Sequence, residues 1–327
     1  MPRSILITGA NSGLGFETAR QLAERGRWSR IVLTARTQAK ATDARDRLVQ
    51  LTGRDAGSFG ISVFDNNRPS SVRRAIDALA EEGASLDALV LNAGGAGRLE
   101  DGRPLRLESG LTEVFAMNVG GHVDLVDGLL NAELLAKGAT VVYAGSEVSL
   151  GVPSIGIATP TLPEGFATLD EALEAVIRGE HATDGYDLNV DYGLVKLMGS
   201  AWMSVLHEKH GLRALTISPG FTAGTAGLAK LPLLQRLFTG YVVMPTLRLL
   251  GNAHGTRTGA QRYVEGLENP ALEPGAFYAS PPGRTSGPLT RQDGTAQPLV
   301  DDAAFTDAVG RLVERLGSVR PTLARAQ

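Results

Sequence analysis

The chain has 327 residues, of which 43% are hydrophobic and 20% charged, with a formal net charge of -3 and no cysteine. This length exceeds the usual single domain but suits one α/β core carrying insertions, and the composition is that of an ordinary globule. It offers no basic field for nucleic acid or an anionic membrane, and the missing cysteines exclude disulfides, thiolate nucleophiles and Cys-ligated zinc.

The amino terminus, MPRSILITGA, enters an apolar strand without the apolar h-region that a secretory signal needs, so a cytoplasmic location is expected. No run reaches the roughly eighteen uncharged apolar residues that cross a bilayer. Residues 228–250 come nearest and are interrupted by Lys230, Arg236 and Arg248, so no transmembrane segment is expected.

Short runs rich in Val, Ile and Leu alternate with longer helical patterns, the signature of βαβ units building a parallel sheet. Strands are predicted near Ser4–Thr8, Arg30–Thr34, Gly60–Phe64, Ala88–Leu91, Thr140–Tyr143, Arg213–Ile217 and Ala276–Ala279. The first helix is predicted over Gly13–Arg25, with Leu14, Thr18, Leu22 and Arg25 on one face and Gly26 as its C-terminal cap. Right-handed crossovers then give a doubly wound α/β sheet with helices on both faces, in one domain over residues 1–327.

Three stretches depart from the repeat. Residues 151–191 form an insertion with one helical pattern, TLDEALEAVIRG, for which Thr168 is the expected N-cap and Glu171 the capping-box residue. Residues 223–251 are strongly apolar and read as a substrate cap, with a core helix as the alternative. Residues 280–297, dense in Pro, Gly, Ser and Thr, are expected to be loop.

The turn TGANSGLG lies between the first strand and the first helix. Gly9 permits a sharp exit from the strand, while Gly13 and Gly15 clear space at a helix N-terminus whose free N–H groups suit a pyrophosphate. Asn11, Ser12 and Leu14 complete this candidate cofactor-binding turn. At the end of the second strand, where an acidic residue would hold a ribose 2′-hydroxyl, stands Ala35, followed by Arg36. A cation without a carboxylate there favours a 2′-phosphate, hence NADPH over NADH, and Lys40 and Ser12 are candidates for further phosphate contacts. Arg36 as a solvated charge at a helix start is the plainer alternative.

The motifs TGANSGLG at 8–15, FDNN at 64–67, LNAGG at 91–95, MNVGGH at 117–122, YAGSEVS at 143–149, YGLVK at 192–196 and SPGFTAGT at 218–225 stand in this order. Together they resemble the short-chain dehydrogenase/reductase family over residues 4–225. The resemblance implies a Rossmann-type fold and a nicotinamide cofactor. It also implies that Asp65 and Asn66 flank the adenine and that Asn92, Ala93 and Gly94 line the adenosine ribose. Asn118, Ser146, Tyr192 and Lys196 match the family's catalytic tetrad, and Pro219, Gly220 and Thr222 the segment that pins the nicotinamide carboxamide.

The residues make chemical sense by themselves. Tyr192 and Lys196 are one helical turn apart, so the ammonium can favour the charged form of a phenol whose unperturbed pKa is about 10. Ser146, just past a strand end, can donate to a carbonyl oxygen where negative charge develops. Asn118, expected at a helix irregularity, is a candidate to hold a water between Lys196 and solvent. Taken one at a time each has a plainer reading, Tyr192 as a half-buried helix residue and Lys196 as its solvated neighbour.

Residues 147–191 separate Ser146 from Tyr192, a long connection that resembles the monomeric carbonyl reductases and the light-dependent protochlorophyllide oxidoreductases. The C-terminal part is similar to the protochlorophyllide and retinol dehydrogenase branch. A monomer is therefore favoured over a homodimer or tetramer, and the lack of cysteine favours dark carbonyl chemistry over photoreduction. Leu228, Leu231, Leu237, Phe238 and Tyr241 in the cap suggest a bulky, mainly apolar ketone or aldehyde as the small-molecule substrate. Alcohol oxidation at the same site and a non-enzymatic NADPH sensor that binds a protein are the alternatives. His207 and His210 read as solvent-facing groups at a helix C-terminus, so no metal is expected.

Overall fold

A computed structural model describes residues 3–153, 156–183, 186–223 and 254–319. Strands β1 (Ser4–Ile7), β2 (Arg30–Ala35), β3 (Phe59–Val63), β4 (Leu86–Leu91), β5 (Leu135–Ala144), β6 (Arg213–Ile217), β7 (Phe277–Ala279) and β8 (Thr290–Arg291) form one eight-stranded sheet. Its order is β8-β7-β6-β5-β4-β1-β2-β3, parallel throughout except for β8, which pairs antiparallel with β7. The chain runs outward from β1 through β2 to β3, then returns to β4 on the other side, so β1 and β4 flank the point where the winding reverses.

The helices are α1 (Gly13–Arg25), α2 (Gln38–Thr52), α3 (Pro69–Glu81), α4 (Gly121–Asn131), α5 (Leu169–Arg178), α6 (Leu188–His210), α7 (Thr256–Glu268) and α8 (Ala303–Val319). Strand side chains alternate between two apolar layers. Ile5, Ile7, Ala88, Val90 and Val142 face the layer of α1, α2 and α7, whereas Leu6, Leu89, Leu91, Val141 and Tyr143 face that of α3, α4 and α6. Each fully buried Leu, such as Leu22 on one side and Leu197 on the other, stabilises by about 1.5–3 kcal/mol.

The predicted strands are all present, and α1 has the predicted bounds with Gly26 in the left-handed region (φ 68°) donating to the Ala23 carbonyl. Thr168 caps α5, accepting from the Glu171 amide at 3.2 Å. The Glu171 carboxylate reaches one residue beyond the expected capping-box position, accepting from the Ala167 amide at 3.0 Å.

Two expectations need correction. β5 begins at Leu135 rather than Thr140, because Leu135 already pairs with Leu86 ahead of a register shift, after which pairing resumes between Ala88 and Thr140. The stretch 280–297, expected to be loop, contains β8, an edge strand of two residues too short to show any alternation. The apolar stretch 223–251 lies outside the described residues apart from Ala223, which pairs with Gly255. Among the described residues no helix is long and apolar enough to cross a membrane.

α8 packs along both α6 and α5. Asp170 at the start of α5 joins it, accepting from Arg311 at 2.5 Å and Arg315 at 3.0 Å. The hydrogen bond from Arg311, foremost among these influences, helps hold the Asp170 carboxyl down at about 2. The insertion and the C-terminal helix are thus joined to one another over the helix that carries Tyr192.

Candidate active site

The crevice lies past the carboxyl ends of β1, β4, β5 and β6, where α/β sheets place their ligands. After β1 the chain turns at Gly9 (φ 65°) and Gly13 (φ 57°), both in the left-handed region that favours glycine. The turn is held from two neighbouring strands: the Gly9 amide donates to Thr34 Oγ1 at 3.1 Å, and Asn92 Nδ2 donates to the Thr8 carbonyl at 2.9 Å. A Cβ on Gly15 would lie 2.5 Å from the Gly9 carbonyl oxygen and 2.6 Å from Asn92 Nδ2, so the turn cannot pack with any other residue there.

Ser12 precedes α1 with extended backbone and gives no side-chain cap. The first-turn amides therefore face outward unclaimed by a capping oxygen, and a Cβ on Gly13 would meet open space. Asn11 and Leu14 are half-buried and Ser12 is exposed. Arg36 and Lys40 are exposed beyond the end of β2, with Thr37 between them capping α2. Asp65 is half-buried and one of its oxygens accepts from the Asn67 amide at 3.1 Å, leaving the other for a ligand. Asn66 is buried, and its Nδ2 donates to the Met117 carbonyl at 3.0 Å. Ala93 is tied down by its amide, which donates to Thr8 Oγ1 at 2.9 Å, and Gly94 is exposed. This set fits a dinucleotide: free helix-start amides, a small-residue floor, and cations at the outer end.

Asn118 sits within a π-helical turn, Ala116–Gly120, the irregularity expected there. Both ends of its side-chain amide are engaged. Nδ2 donates to the Gly95 and Val114 carbonyls, each at 2.7 Å, and Oδ1 accepts from the Gly95 amide at 3.2 Å. The carboxamide therefore clamps the loop after β4.

Ser146, two residues past β5, caps a short 3-10 turn, and its Oγ accepts from the Val148 amide at 3.2 Å. It lies near enough to the Tyr192 phenol to influence its ionisation. Tyr192 and Lys196 both come from α6. Lys196 is buried, its Nζ donates to the Ala144 carbonyl at 2.8 Å, and it lies 4.9 Å from the Tyr143 ring centre and 5.6 Å from that of Tyr192. Burial lowers the lysine to about 7. Burial also pushes the Tyr192 phenol up to about 12, with Ser146 pulling it down and the Glu147 charge pushing it further up. The expected downward pull of Lys196 thus does not govern this phenol, because burial raises the tyrosine and at the same time lowers the lysine, which is left only partly charged at neutral pH. Tyr192 is protonated at neutral pH.

Pro219, Gly220 and Thr222 follow β6. Thr222 Oγ1 donates to the Gly220 carbonyl at 3.0 Å and His254 Nε2 lies 2.6 Å from the Pro219 carbonyl, while Gly220 has φ 75°. The predicted site residues therefore form two groups in one crevice, Gly9 to Gly94 at the β1–β4 end and Asn118 to Thr222 at the β4–β6 end. His207 Nδ1 is engaged with the Leu212 carbonyl at 2.9 Å, and no metal-ligating cluster occurs among the described residues.

Three residues escaped the sequence reading. His122 is buried between the Asn118 carbonyl, 2.9 Å from Nδ1, and Thr8 Oγ1, 3.1 Å from Nε2, and burial pushes it down to about 3, so it is neutral. It joins the π turn to the glycine turn, and its spacing of four from Asn118 was the available signal. Glu147 and Arg262, both buried, meet beneath Ser146 and Pro219. Their separation along the chain left no signal.

Residues 3–158 match the short chain dehydrogenase family. The chain is 30% identical over 203 residues to carbonyl reductase [NADPH] 1 of Rattus norvegicus, covering 59% of this chain and 69% of that one. It is 27% identical over 289 residues to the chloroplastic protochlorophyllide reductase A of Oryza sativa subsp. japonica, covering 84% and 71%. Among solved structures, L-sorbose reductase from Gluconobacter frateurii, complexed with NADPH and L-sorbose, shares the fold with a TM-score of 0.60 at 16% identity, over 84% of this chain and 94% of that one. Salutaridine reductase from Papaver somniferum has a TM-score of 0.59 at 19% identity, over 84% and 99%. With sheet order, glycine turn and sequence likeness in agreement, this chain belongs to the short-chain dehydrogenase family and is an oxidoreductase.

Proposed function

We propose that the chain is an NADPH-dependent reductase of a bulky, mainly apolar ketone or aldehyde, with Tyr192 as proton donor. The observation that carries this reading is the meeting of Ser146, Tyr192 and Lys196 in the crevice that the uncapped start of α1 also faces. Bound there, reduced nicotinamide supplies the hydride. Amides of Gly13, Leu14 and Gly15 receive the pyrophosphate, Arg36, Lys40 and Ser12 the 2′-phosphate, and Asp65 and Asn66 the adenine. Asn92, Ala93 and Gly94 line the ribose, and Pro219, Gly220 and Thr222 hold the carboxamide.

Ser146 donates to the substrate's carbonyl oxygen and holds it beside the Tyr192 hydroxyl. Tyr192, protonated at neutral pH because of its burial, gives its proton to that oxygen as negative charge develops there. Lys196, poised near 7, supplies positive charge beside the phenolate left behind. Asn118 keeps the Gly95 loop in place. The exposed Arg36 supports NADPH over NADH, as do relatives named for NADPH-dependent carbonyl reduction. The apolar composition of residues 228–250 supports a large apolar substrate. The cover that α5 and α8 lay over α6 supports a monomer, which a solution mass of one chain would bear out.

The test is loss of NADPH absorbance with a panel of carbonyl compounds graded from small and polar to large and apolar. Turnover is expected for the large apolar members and is abolished in Tyr192→Phe with NADPH binding nearly intact. NADPH binding without turnover across the panel, or substantial activity in Tyr192→Phe, overturns the reading.

A further inference from the structure

Directly after Ser146, Glu147 turns its carboxylate inward, where four donors converge on it. Oε2 accepts from the Ser218 hydroxyl, and Oε1 accepts from Ser280 Oγ at 2.9 Å, from the Ser280 amide at 3.3 Å and from Arg262 Nη1 at 3.3 Å. Arg262, on α7, spreads its guanidinium across the same junction. Nη1 donates to the Ser218 carbonyl at 3.1 Å, and Nη2 donates to Ser280 Oγ at 3.0 Å and to the Gly287 carbonyl at 2.6 Å. Both charged groups are more than nine-tenths buried, Glu147 at 5% exposure and Arg262 at 4%.

Ser218 is thus held at two handles, its hydroxyl by Glu147 and its carbonyl by Arg262. Its Oγ in turn accepts from the Gly220 amide at 3.3 Å. The backbone that carries Ser146 and the backbone that carries Pro219 and Gly220 are pinned to one carboxylate. A buried ion pair is a poor source of net stability, since apolar residues of similar volume often do as well. What apolar replacements could not reproduce is four directed acceptor contacts fixing the spacing of two loops.

We propose that Glu147, held by Arg262, is a positioning residue that sets the spacing between the Ser146 turn and the Ser218–Gly220 segment, and so the seat of the nicotinamide end of the cofactor. This rests on the reading that Pro219, Gly220 and Thr222 face the nicotinamide, and it assigns a role to a pair that touches neither cofactor nor substrate. Glu147→Gln keeps an oxygen for the Ser280 amide and Arg262 but removes the negative charge that pairs with the guanidinium, and it turns an N–H group toward the Ser218 hydroxyl, which loses its charged acceptor. The grip on the Ser218 segment is thereby weakened.

The experiment compares two ligands by direct binding to the full chain: NADPH, and adenosine 2′,5′-bisphosphate, which has the adenosine end but no nicotinamide. Glu147→Gln should weaken NADPH by about tenfold or more, the scale of a lost hydrogen bond to a charged group, and leave the bisphosphate unchanged. Ser280→Ala, which removes one neutral donor and keeps the charge pair, should show the same split at smaller size and serves should Glu147→Gln fail to fold. Equal weakening of both ligands, or of neither, overturns the inference while leaving the reductase reading intact. A wild-type chain that binds neither ligand overturns the cofactor reading, and this inference with it.

Discussion

Asn118 grips Gly95 with both ends of its amide, donating from Nδ2 to the Gly95 carbonyl at 2.7 Å and accepting at Oδ1 from the Gly95 amide at 3.2 Å. The same Nδ2 also satisfies the Val114 carbonyl, which the π turn leaves for it. Asn118→Ala strips the loop after β4 of these contacts inside a site with no exposure. The expected result is a loss of about 1–3 kcal/mol in stability, the cost of leaving a buried polar group unsatisfied, together with weaker NADPH binding. Denaturant unfolding and a binding titration check both. A variant as stable as wild type would show that the grip is dispensable.

Lys196 makes stability depend on pH. Burial lowers it from 10.5 to about 7, so between these values the unfolded chain carries a proton that the folded chain has given up. Stability therefore rises with pH through that window, and the burial penalty is fully present below it. Lys196→Met has no such term. Its advantage in melting temperature over wild type should narrow as the pH is raised from about 7 to about 10, and a constant difference would contradict the assignment.

His181 works in the opposite sense. Burial disfavours its charge, yet the hydrogen bond and charge of Asp191, 2.7 Å from Nε2, outweigh that and raise it above 6.5. Its contribution is complete below the unfolded value and is lost as pH rises through the folded one. Asp191 also accepts from the Tyr186 hydroxyl at 2.6 Å and immediately precedes Tyr192, so the contact ties the insertion to the start of α6. Melting temperatures of wild type and His181→Gln should converge as the pH is raised above the ordinary histidine value of about 6.5. Parallel curves would rule the ion pair out.

Arg36 stands exposed just past the end of β2, where we propose the 2′-phosphate to bind. Arg36→Asp should weaken NADPH by about ten- to a hundredfold, the value of a charge-assisted contact to phosphate plus the repulsion introduced, and leave NADH unchanged or improved. Equal losses for both cofactors would remove Arg36 from the phosphate site.

The legible features were those written in local spacing. Every predicted strand was found because apolar runs and the alternation of faces, as in Ile5, Leu6 and Ile7, are carried by neighbouring residues. α1 could be bounded to the residue because Gly13 and Gly26 both mark its ends. β8 was missed because two residues at a sheet edge carry no period. Asn118, Ser146, Tyr192 and Lys196 were singled out through ordered motifs, while the balance between burial and the lysine's pull on the phenol could not be read from spacing, since enclosure sets it. Glu147 and Arg262 were invisible because what gives them meaning is an approach between segments 115 residues apart.

That remoteness bears on how the chain is made. Glu147 meets its carboxylate donors at separations of 71, 115 and 133 residues, in Ser218, Arg262 and Ser280. A nascent polypeptide emerging as far as β6 already possesses the strands and turn that would seat the adenosine, but leaves an acidic side chain beside Ser146 without its guanidinium. The junction at Glu147 can therefore close only after Ser280 has been synthesised, later than every residue of the glycine turn.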